Sequence, residues 1–124
     1  MKVAVLIARI LLGLIFVFFG LNAFFHFLHA PMPTGLAGQF MGALFASHFY
    51  VVPFGFQVIG GLLLLSGRFV SLGLVIVAPI LVNILTFHLT MAPGILPGLV
   101  CTLLWFVVFA GYRSSFAGIL NPNG

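Results

Sequence analysis

The run FVSLGLVIVAPILVNILTFHL, residues 69 to 89, decides the class of fold. It contains no Asp, Glu, Lys or Arg, and its length matches the roughly 20 mostly apolar residues that a membrane-spanning helix needs. The run nevertheless carries an asparagine, a histidine and a threonine near its end, where hydrocarbon offers no hydrogen-bond partner. The stretch therefore predicts a membrane helix and raises the question of what its polar groups contact.

The composition of the whole chain is typical of a membrane protein. Of its 124 residues, 64% are hydrophobic and 3% are charged, whereas soluble domains have about 25% charged residues. The four scattered Lys and Arg form no basic patch, which argues against a nucleic-acid partner. Because the chain has no Asp or Glu, acid catalysis by a carboxylate is excluded and a carboxylate proton relay is disfavoured. A single cysteine excludes an internal disulfide or a CxxC motif.

Four apolar segments predict an all-α, polytopic membrane four-helix bundle that forms one transmembrane domain over residues 1–124. The predicted spans cover residues 3–28, 50–66, 69–89 and 95–112. The first is interpreted as a retained helix, because its apolar stretch exceeds the roughly 7–15 residues of a signal-peptide core and no A-x-A site follows. Ser66-Gly67-Arg68 predicts a tight turn, so the second and third spans should pair as an antiparallel hairpin.

The cations predict an orientation in the membrane. In a protein with four spans, all of them fall at one face: Lys2, Arg9, Arg68 and Arg113. The positive-inside rule assigns that face to the cytoplasm, so both termini are predicted to be cytoplasmic. The same four side chains are expected to contact anionic lipid head groups. Arg9 lies a turn or two inside its helix and is expected to extend to the interface.

The histidines map to the opposite, outer face of the membrane. They are His26, His29, His48 and His88. The long connection over residues 29–48 also lies there, and Leu36, Phe40 and Leu44 form a helical stripe in it. The stripe predicts a short interfacial helix between the first two spans. A metal site built from histidines alone is disfavoured, because their spacing matches no dense ligand motif.

Four polar side chains fall in the middle or outer half of the spans, at depths that would let them meet. They are Asn22, Gln57, Asn83 and His88. One interpretation is an outward-facing polar pocket, walled by some of the 16 phenylalanines, that holds a quinone-like lipophilic molecule. There Asn83 and Gln57 would orient a carbonyl or hydroxyl group, and His88 would exchange a proton. The alternative is that these groups join helices through hydrogen bonds worth about 0.6 kcal/mol each.

Backbone features of the spans bear on the same choice. Pro79 lacks an N–H group and so frees the carbonyl of Val75, which is tolerated at this depth only beside protein, water or a ligand. Glycines of the first and second spans would allow the close helix approach that interhelical hydrogen bonds require. They are Gly13, Gly20, Gly60 and Gly61.

Three segments resemble the DoxX-like family of small four-helix membrane proteins. They are RILLGLIFVFFGLN (residues 9–22), QVIGGLLLLSGRF (57–69) and APILVNILTFHL (78–89). The resemblance implies a bundle in a bacterial cytoplasmic membrane, and some relatives are linked to quinone-coupled sulfur oxidation or thiol-stress complexes. The resemblance extends to the positions at which the family has polar residues, and in this chain these are Arg9, Asn22, Gln57, Asn83 and His88. The family often has a glutamate where this chain has Gln57, and glutamine cannot ionise.

These observations predict an accessory or ligand-binding subunit in membrane redox metabolism, rather than an enzyme on its own. The expected partners are the lipid bilayer, a membrane or peripheral redox protein and further copies of the chain, and the expected ligand is a quinone. The alternative is an assembly factor or scaffold without a ligand. A small transporter is a weaker alternative, because a chain of 124 residues would have to oligomerise to form a pore.

Overall fold

The computed structural model describes residues 2–29, 31–119 and 121–123, and regular structure within them is entirely helical. The α-helices are α1 (Lys2–Phe25), α2 (Gly35–Ala46), α3 (Val51–Ser66), α4 (Val70–Thr90) and α5 (Leu96–Tyr112). A 3-10 helix, Arg113–Phe116, continues α5. The prediction of an all-α protein is confirmed, and each long helix ends within three residues of its predicted bounds.

Three of the helices are long and apolar enough to cross a membrane: α1, α4, and α5 with its 3-10 extension. α3 has 16 residues, or about 24 Å of helix, which is less than the roughly 30 Å of a hydrocarbon core. α2 and α3 reach the required length only together, and the two are bent by 86° at their junction. The chain is therefore compatible with a multi-pass membrane protein of three crossings, or four if this bent pair is one of them.

α1, α3, α4 and α5 surround a common core. α1 contacts α3 and α5, and α4 contacts the same two helices. The largest fully buried side chains come from all four helices: Leu12, Phe16, Leu64, Leu74, Val77 and Val108. The outer faces are also apolar, since Leu14, Val82 and Leu103 are 52%, 60% and 66% exposed. Such faces are unfavourable in water but suit contact with acyl chains.

A glycine pair in α3 allows both neighbouring helices to approach closely. A Cβ atom on Gly61 would lie 3.0 Å from the carbonyl oxygen of Gly13 in α1. On the adjacent face of α3, a Cβ atom on Gly73 of α4 would lie 3.2 Å from the carbonyl oxygen of Gly60. Side chains at these positions would force the helices apart, so the predicted role of the glycines in close packing is confirmed.

The connection between α3 and α4 is the predicted tight turn. Gly67 ends α3 in the left-handed conformation, with φ at +72°, which glycine adopts without steric cost. The backbone N–H of Arg68 donates a 3.1 Å hydrogen bond to the hydroxyl oxygen of Ser66. Gly60 lies beside Val77 in α4, so the two helices run antiparallel from this turn.

α1 ends three residues before its predicted limit, at a left-handed turn whose backbone is hydrogen-bonded to Asn22. His26 adopts a left-handed φ of +53°, and its N–H donates to the backbone carbonyl of Asn22 at 2.7 Å. The side-chain oxygen of Asn22 then accepts a 2.8 Å hydrogen bond from the N–H of Leu28. A left-handed residue just past the last turn is a common helix ending, and Asn22 stabilises the chain that follows it.

α2 confirms the predicted short helix between the first two spans, but Leu36 of its predicted stripe faces outward, at 66% exposure. The ring of Phe40 lies 5.7 Å from that of Phe87 in α4, between centroids. The ring of Phe45 stacks on Phe54 of α3 at 6.2 Å between centroids. α2 thus contacts both α3 and α4, although Phe40 is still 44% exposed.

Candidate functional site

The four predicted ligand-binding side chains form separate hydrogen bonds. Their partners are the backbones of Leu28 for Asn22, Phe16 for Gln57, Pro79 for Asn83 and Pro93 for His88. Among the described residues, no hydrogen bond joins any two of the four. Their contacts therefore give no support to a shared pocket, and ligand binding by this set stays a prediction.

Gln57 connects two helices in the interior. It is the most deeply buried polar side chain among the described residues, at 4% exposure. Its Nε2 donates a 3.2 Å hydrogen bond to the carbonyl oxygen of Phe16 in α1, a residue that is itself 1% exposed. An amide within hydrocarbon is costly unless it is hydrogen-bonded. Gln57 meets this requirement through interhelical contact, which is the alternative left open by the sequence.

Asn83 lies on the exposed surface of α4 together with Thr86 and Thr90, and we call these three residues the polar α4 face. Each donates to a carbonyl four residues earlier in its own helix, at 2.8, 2.8 and 2.7 Å. Asn83 is about 10 Å from the end of α4 at Thr90, so in a membrane it would lie in the hydrocarbon region. Its Oδ1 has no hydrogen-bond partner among the described residues.

Pro79 places a second polar group on the same side of α4. Because proline has no N–H, the carbonyl of Val75 loses its helical partner. Val75 is 49% exposed, and Pro79 and Asn83 are exposed as well. The exposed side of α4 thus combines a freed backbone carbonyl with an incompletely paired carboxamide.

His88 and the remaining histidines lie at the ends of helices. Nδ1 of His88 is 3.2 Å from the carbonyl oxygen of Pro93, and since a carbonyl only accepts, this bond requires a proton on Nδ1. It stabilises the connection between α4 and α5. The ring of His26 packs 5.7 Å from Phe45, and that of His48 lies 6.3 Å from Tyr50. Both contacts are aromatic; the first joins the end of α1 to α2, and the second is local.

At the opposite end, Arg9 caps α3, a role that the sequence did not reveal. Its Nη1 donates to the carbonyl oxygens of Leu64 and Leu65, the latter at 3.3 Å. These carbonyls belong to the last turn of α3, where the helix dipole places partial negative charge. The guanidinium also lies against Gly67, where a Cβ atom would be 3.0 Å from Nη1. Arg9 is therefore half-buried between helices rather than simply extended to the interface.

The other predicted head-group contacts are exposed. Lys2, Arg68 and Arg113 all lie on the surface, and Arg68 is 6.0 Å from the ring centroid of Phe69. Nothing in the described structure competes with lipid phosphates for these three cations, because the chain has no Asp or Glu. Head-group binding by them stays a prediction.

Trp105 makes a third interhelical hydrogen bond that sequence reasoning missed. Its Nε1 donates a 3.0 Å bond to the carbonyl oxygen of Leu74, which joins α5 to α4. The signal was available, since this is the only tryptophan in the chain and a buried indole N–H usually finds an acceptor. The acceptor itself could not have been identified, because any backbone carbonyl can serve.

Two open cavities lie on the surface of the protein. One, of about 200 Å³, runs between α4 and α5 and is lined by Ala78, Leu81, Val82, Leu85, Thr102, Trp105 and Phe106. The other, of about 210 Å³, lies on α2 and is lined by Phe40, Ala43, Leu44, Ser47 and Phe49. Both are almost wholly apolar, and none of the four predicted ligand-binding residues lines either.

Comparisons of the chain with protein-family models, with curated proteins and with solved structures give no match. The resemblance to the DoxX-like family therefore stays a prediction from three sequence segments. What the geometry establishes is a set of side chains, Gln57, Trp105 and Arg9, that each donate to the backbone of a neighbouring helix.

Proposed function

We propose that the protein is a non-enzymatic accessory subunit or scaffold, embedded in a bacterial cytoplasmic membrane as a DoxX-like four-helix bundle. In this arrangement α1, α3, α4 and α5 cross the membrane, α2 lies at the outer interface and both termini are cytoplasmic. The grouping of all four cations at one face supports this orientation. The closed cycle of contacts from α1 to α3, α4, α5 and back to α1 supports the bundle.

The main support for the proposal is that the polar groups inside the bundle are hydrogen-bonded to neighbouring helices. A binding site for a small molecule usually has a few polar groups that converge on a cavity. Here the amide of Gln57 and the indole of Trp105 are hydrogen-bonded to neighbouring helices at 3.2 and 3.0 Å. Arg9 is bonded to the end of α3. These groups stabilise a rigid packed body, which is what a scaffold requires.

The exposed surfaces would then be where the protein acts. The polar α4 face presents a carboxamide in hydrocarbon, where polar side chains form hydrogen bonds across helices. The outward side of α2 presents large apolar side chains, among them Leu36 at 66% exposure. Both surfaces suit contact with membrane-spanning segments.

Native mass spectrometry after release in mild detergent tests this function. The scaffold proposal predicts a complex with another membrane protein at a fixed ratio and no lipophilic molecule bound in stoichiometric amount. A Gln57→Leu variant should lose stability, and its mass, like that of the wild type, should include no bound lipophilic molecule. A protein that runs alone and carries one quinone-like molecule per chain would contradict the proposal.

A second candidate function is binding of a quinone-like molecule, which the groove between α4 and α5 favours. Trp105 and Phe106 offer flat aromatic surface there, and Val82 on its edge precedes Asn83 in the chain. Trp105 is the only tryptophan, so its fluorescence reports on this groove alone. A quinone analogue should quench it saturably, and Val82→Phe, which narrows the groove, should weaken that quenching. Quenching that rises linearly and ignores Val82→Phe would exclude this function.

A further inference from the structure

We propose that two copies of the chain pair through α4, with the carboxamides of their Asn83 residues hydrogen-bonded to each other within the membrane. The inference rests on the membrane insertion in the proposed function and names one partner for the polar α4 face. Asn83 presents an exposed amide at a depth where water and head groups are out of reach. In hydrocarbon such a group finds its partner on another helix.

The exposed side of α4 has the spacing of a helix–helix seam. Its members recur at alternating steps of four and three residues, and all are exposed except the half-buried Ile76: Leu72, Ile76, Pro79, Asn83, Thr86 and Thr90. This is a heptad pattern, in which two helices pack with a left-handed crossing of about 20°. Asn83 lies in the middle of this seam, one turn after Pro79 and one turn before Thr86.

The chemistry of Asn83 favours a second copy over an unrelated helix. A carboxamide has two N–H donors and one acceptor oxygen. One N–H is used by the carbonyl of Pro79 at 2.8 Å, which leaves one donor and the Oδ1 acceptor. Two such groups satisfy each other reciprocally, so the residue is complementary to itself.

Symmetry then places the two residues at the same depth. Copies inserted in the same direction are related by a twofold axis along the membrane normal, which makes the two α4 helices parallel. Because Asn83 lies in the seam, Asn83 of one copy faces Asn83 of the other at equal depth, whereas an unrelated helix would need its own polar residue there. The pairing also brings the freed carbonyl of Val75 beside protein rather than acyl chains.

Disulfide cross-linking in membranes tests the interface. The background is Cys101→Ala, which removes the only cysteine. Thr86→Cys probes the seam, and Val100→Cys on α5 is the matched control. Both positions are exposed, and each lies about 6 Å from the same end of the helix pair. Thr86→Cys should give a product of twice the chain mass, at least fivefold more than Val100→Cys.

A second change tests the role of the amide. Asn83→Leu added to Thr86→Cys should lower the association constant by about 5- to 30-fold, since one interhelical amide bond in lipid contributes about 1–2 kcal/mol in model helices. Asn83→Gln, which keeps the amide, should retain most of the dimer. Asn83 lies on the surface, so an unchanged helix content and unfolding midpoint in detergent will show that the variants fold.

Equal cross-linking at Thr86→Cys and Val100→Cys, absence of the dimer, or no effect of Asn83→Leu would each overturn the inference. A cross-link from Thr86→Cys only to a different protein would also overturn it, while the scaffold function would stand. Native mass spectrometry could instead show a dimer that forms through α4 and carries a quinone in stoichiometric amount. That outcome would support the pairing and contradict the scaffold function.

Discussion

The side-chain amide of Gln57 lies 3.2 Å from the backbone carbonyl oxygen of Phe16, and this hydrogen bond joins α3 to α1 within the core. One turn further along α3, Gly61 approaches Gly13 so closely that no side chain fits between the helices. The close backbone contact and the amide bond support each other, because the amide reaches α1 only when the helices are this near. Both features can be removed one at a time.

Replacing Gln57 with leucine should lower the free energy of unfolding by about 0.5–1.5 kcal/mol, since it removes one interhelical hydrogen bond while keeping much of the side-chain volume. Denaturation by SDS in mixed micelles, followed by circular dichroism, measures the change. Ile59→Leu, at a position that is 49% exposed in the same helix, is the control and should be neutral. A variant as stable as the wild type would show that the bond contributes nothing.

Gly61→Ala should destabilise the protein by about 1–3 kcal/mol, because its methyl group would lie 2.8 Å from Val17 and 3.0 Å from the backbone of Gly13. Gly55→Ala is the matched control in the same helix, since a Cβ atom there meets nothing within 4 Å. The same unfolding experiment compares the two. Equal effects of both substitutions would mean that helix propensity, and not the contact with α1, decides the outcome.

Trp105→Phe should cost about 1 kcal/mol of unfolding free energy, because it keeps an aromatic ring but removes the N–H that donates to Leu74. Phe106→Leu, at a position that is 58% exposed, provides the comparison and should have a smaller effect. Hydrogen exchange of amides in the middle of α4 offers a second measurement, and it should become faster in Trp105→Phe. Unchanged exchange there would argue against the bond between α5 and α4.

Arg9→Met should destabilise the last turn of α3 by about 1–3 kcal/mol, because the carbonyls of Leu64 and Leu65 lose a charged donor. Amide exchange around the turn at Gly67 should increase, and Arg9→Lys should be intermediate, since an ammonium lacks the fork of the guanidinium. Arg68→Met removes an exposed cation from the same turn and serves as the control. If Arg68→Met had the same effect, net charge rather than capping would explain the result.

The bounds of the helices could be predicted from the sequence, but the direction in which most side chains face could not. Apolar runs and the turn at Gly67 determine where α3 and α4 begin and end. In a helix that is apolar on all sides, however, the pattern carries no information about its buried face. Val77 is fully buried and Val82 is 60% exposed, although the residue type is the same. The exposure of Asn83 was hidden for this reason.

The donor side chains of these hydrogen bonds could be identified from the sequence, but their acceptors could not. Gln57 attracts attention as an amide in an apolar segment, but its acceptor is the backbone of Phe16, and a carbonyl oxygen has no sequence signature. The same holds for Trp105 and for Arg9. Asn22 is a different case, because its bond to Leu28 depends on the left-handed turn at His26, a conformation that is uncommon for residues other than glycine.

The decisive measurement asks whether α3, with its 16 residues, crosses the membrane. In the Cys101→Ala background, His48→Cys and Arg68→Cys place a thiol at either end of this helix, and a maleimide that cannot pass the membrane labels whatever faces outward. We expect His48→Cys to react in cells in which only the outer membrane is permeabilised. Arg68→Cys should react only after the cytoplasmic membrane is permeabilised as well. Labelling of both thiols from the same side would mean that α3 turns back within the membrane and that the four-crossing arrangement is wrong.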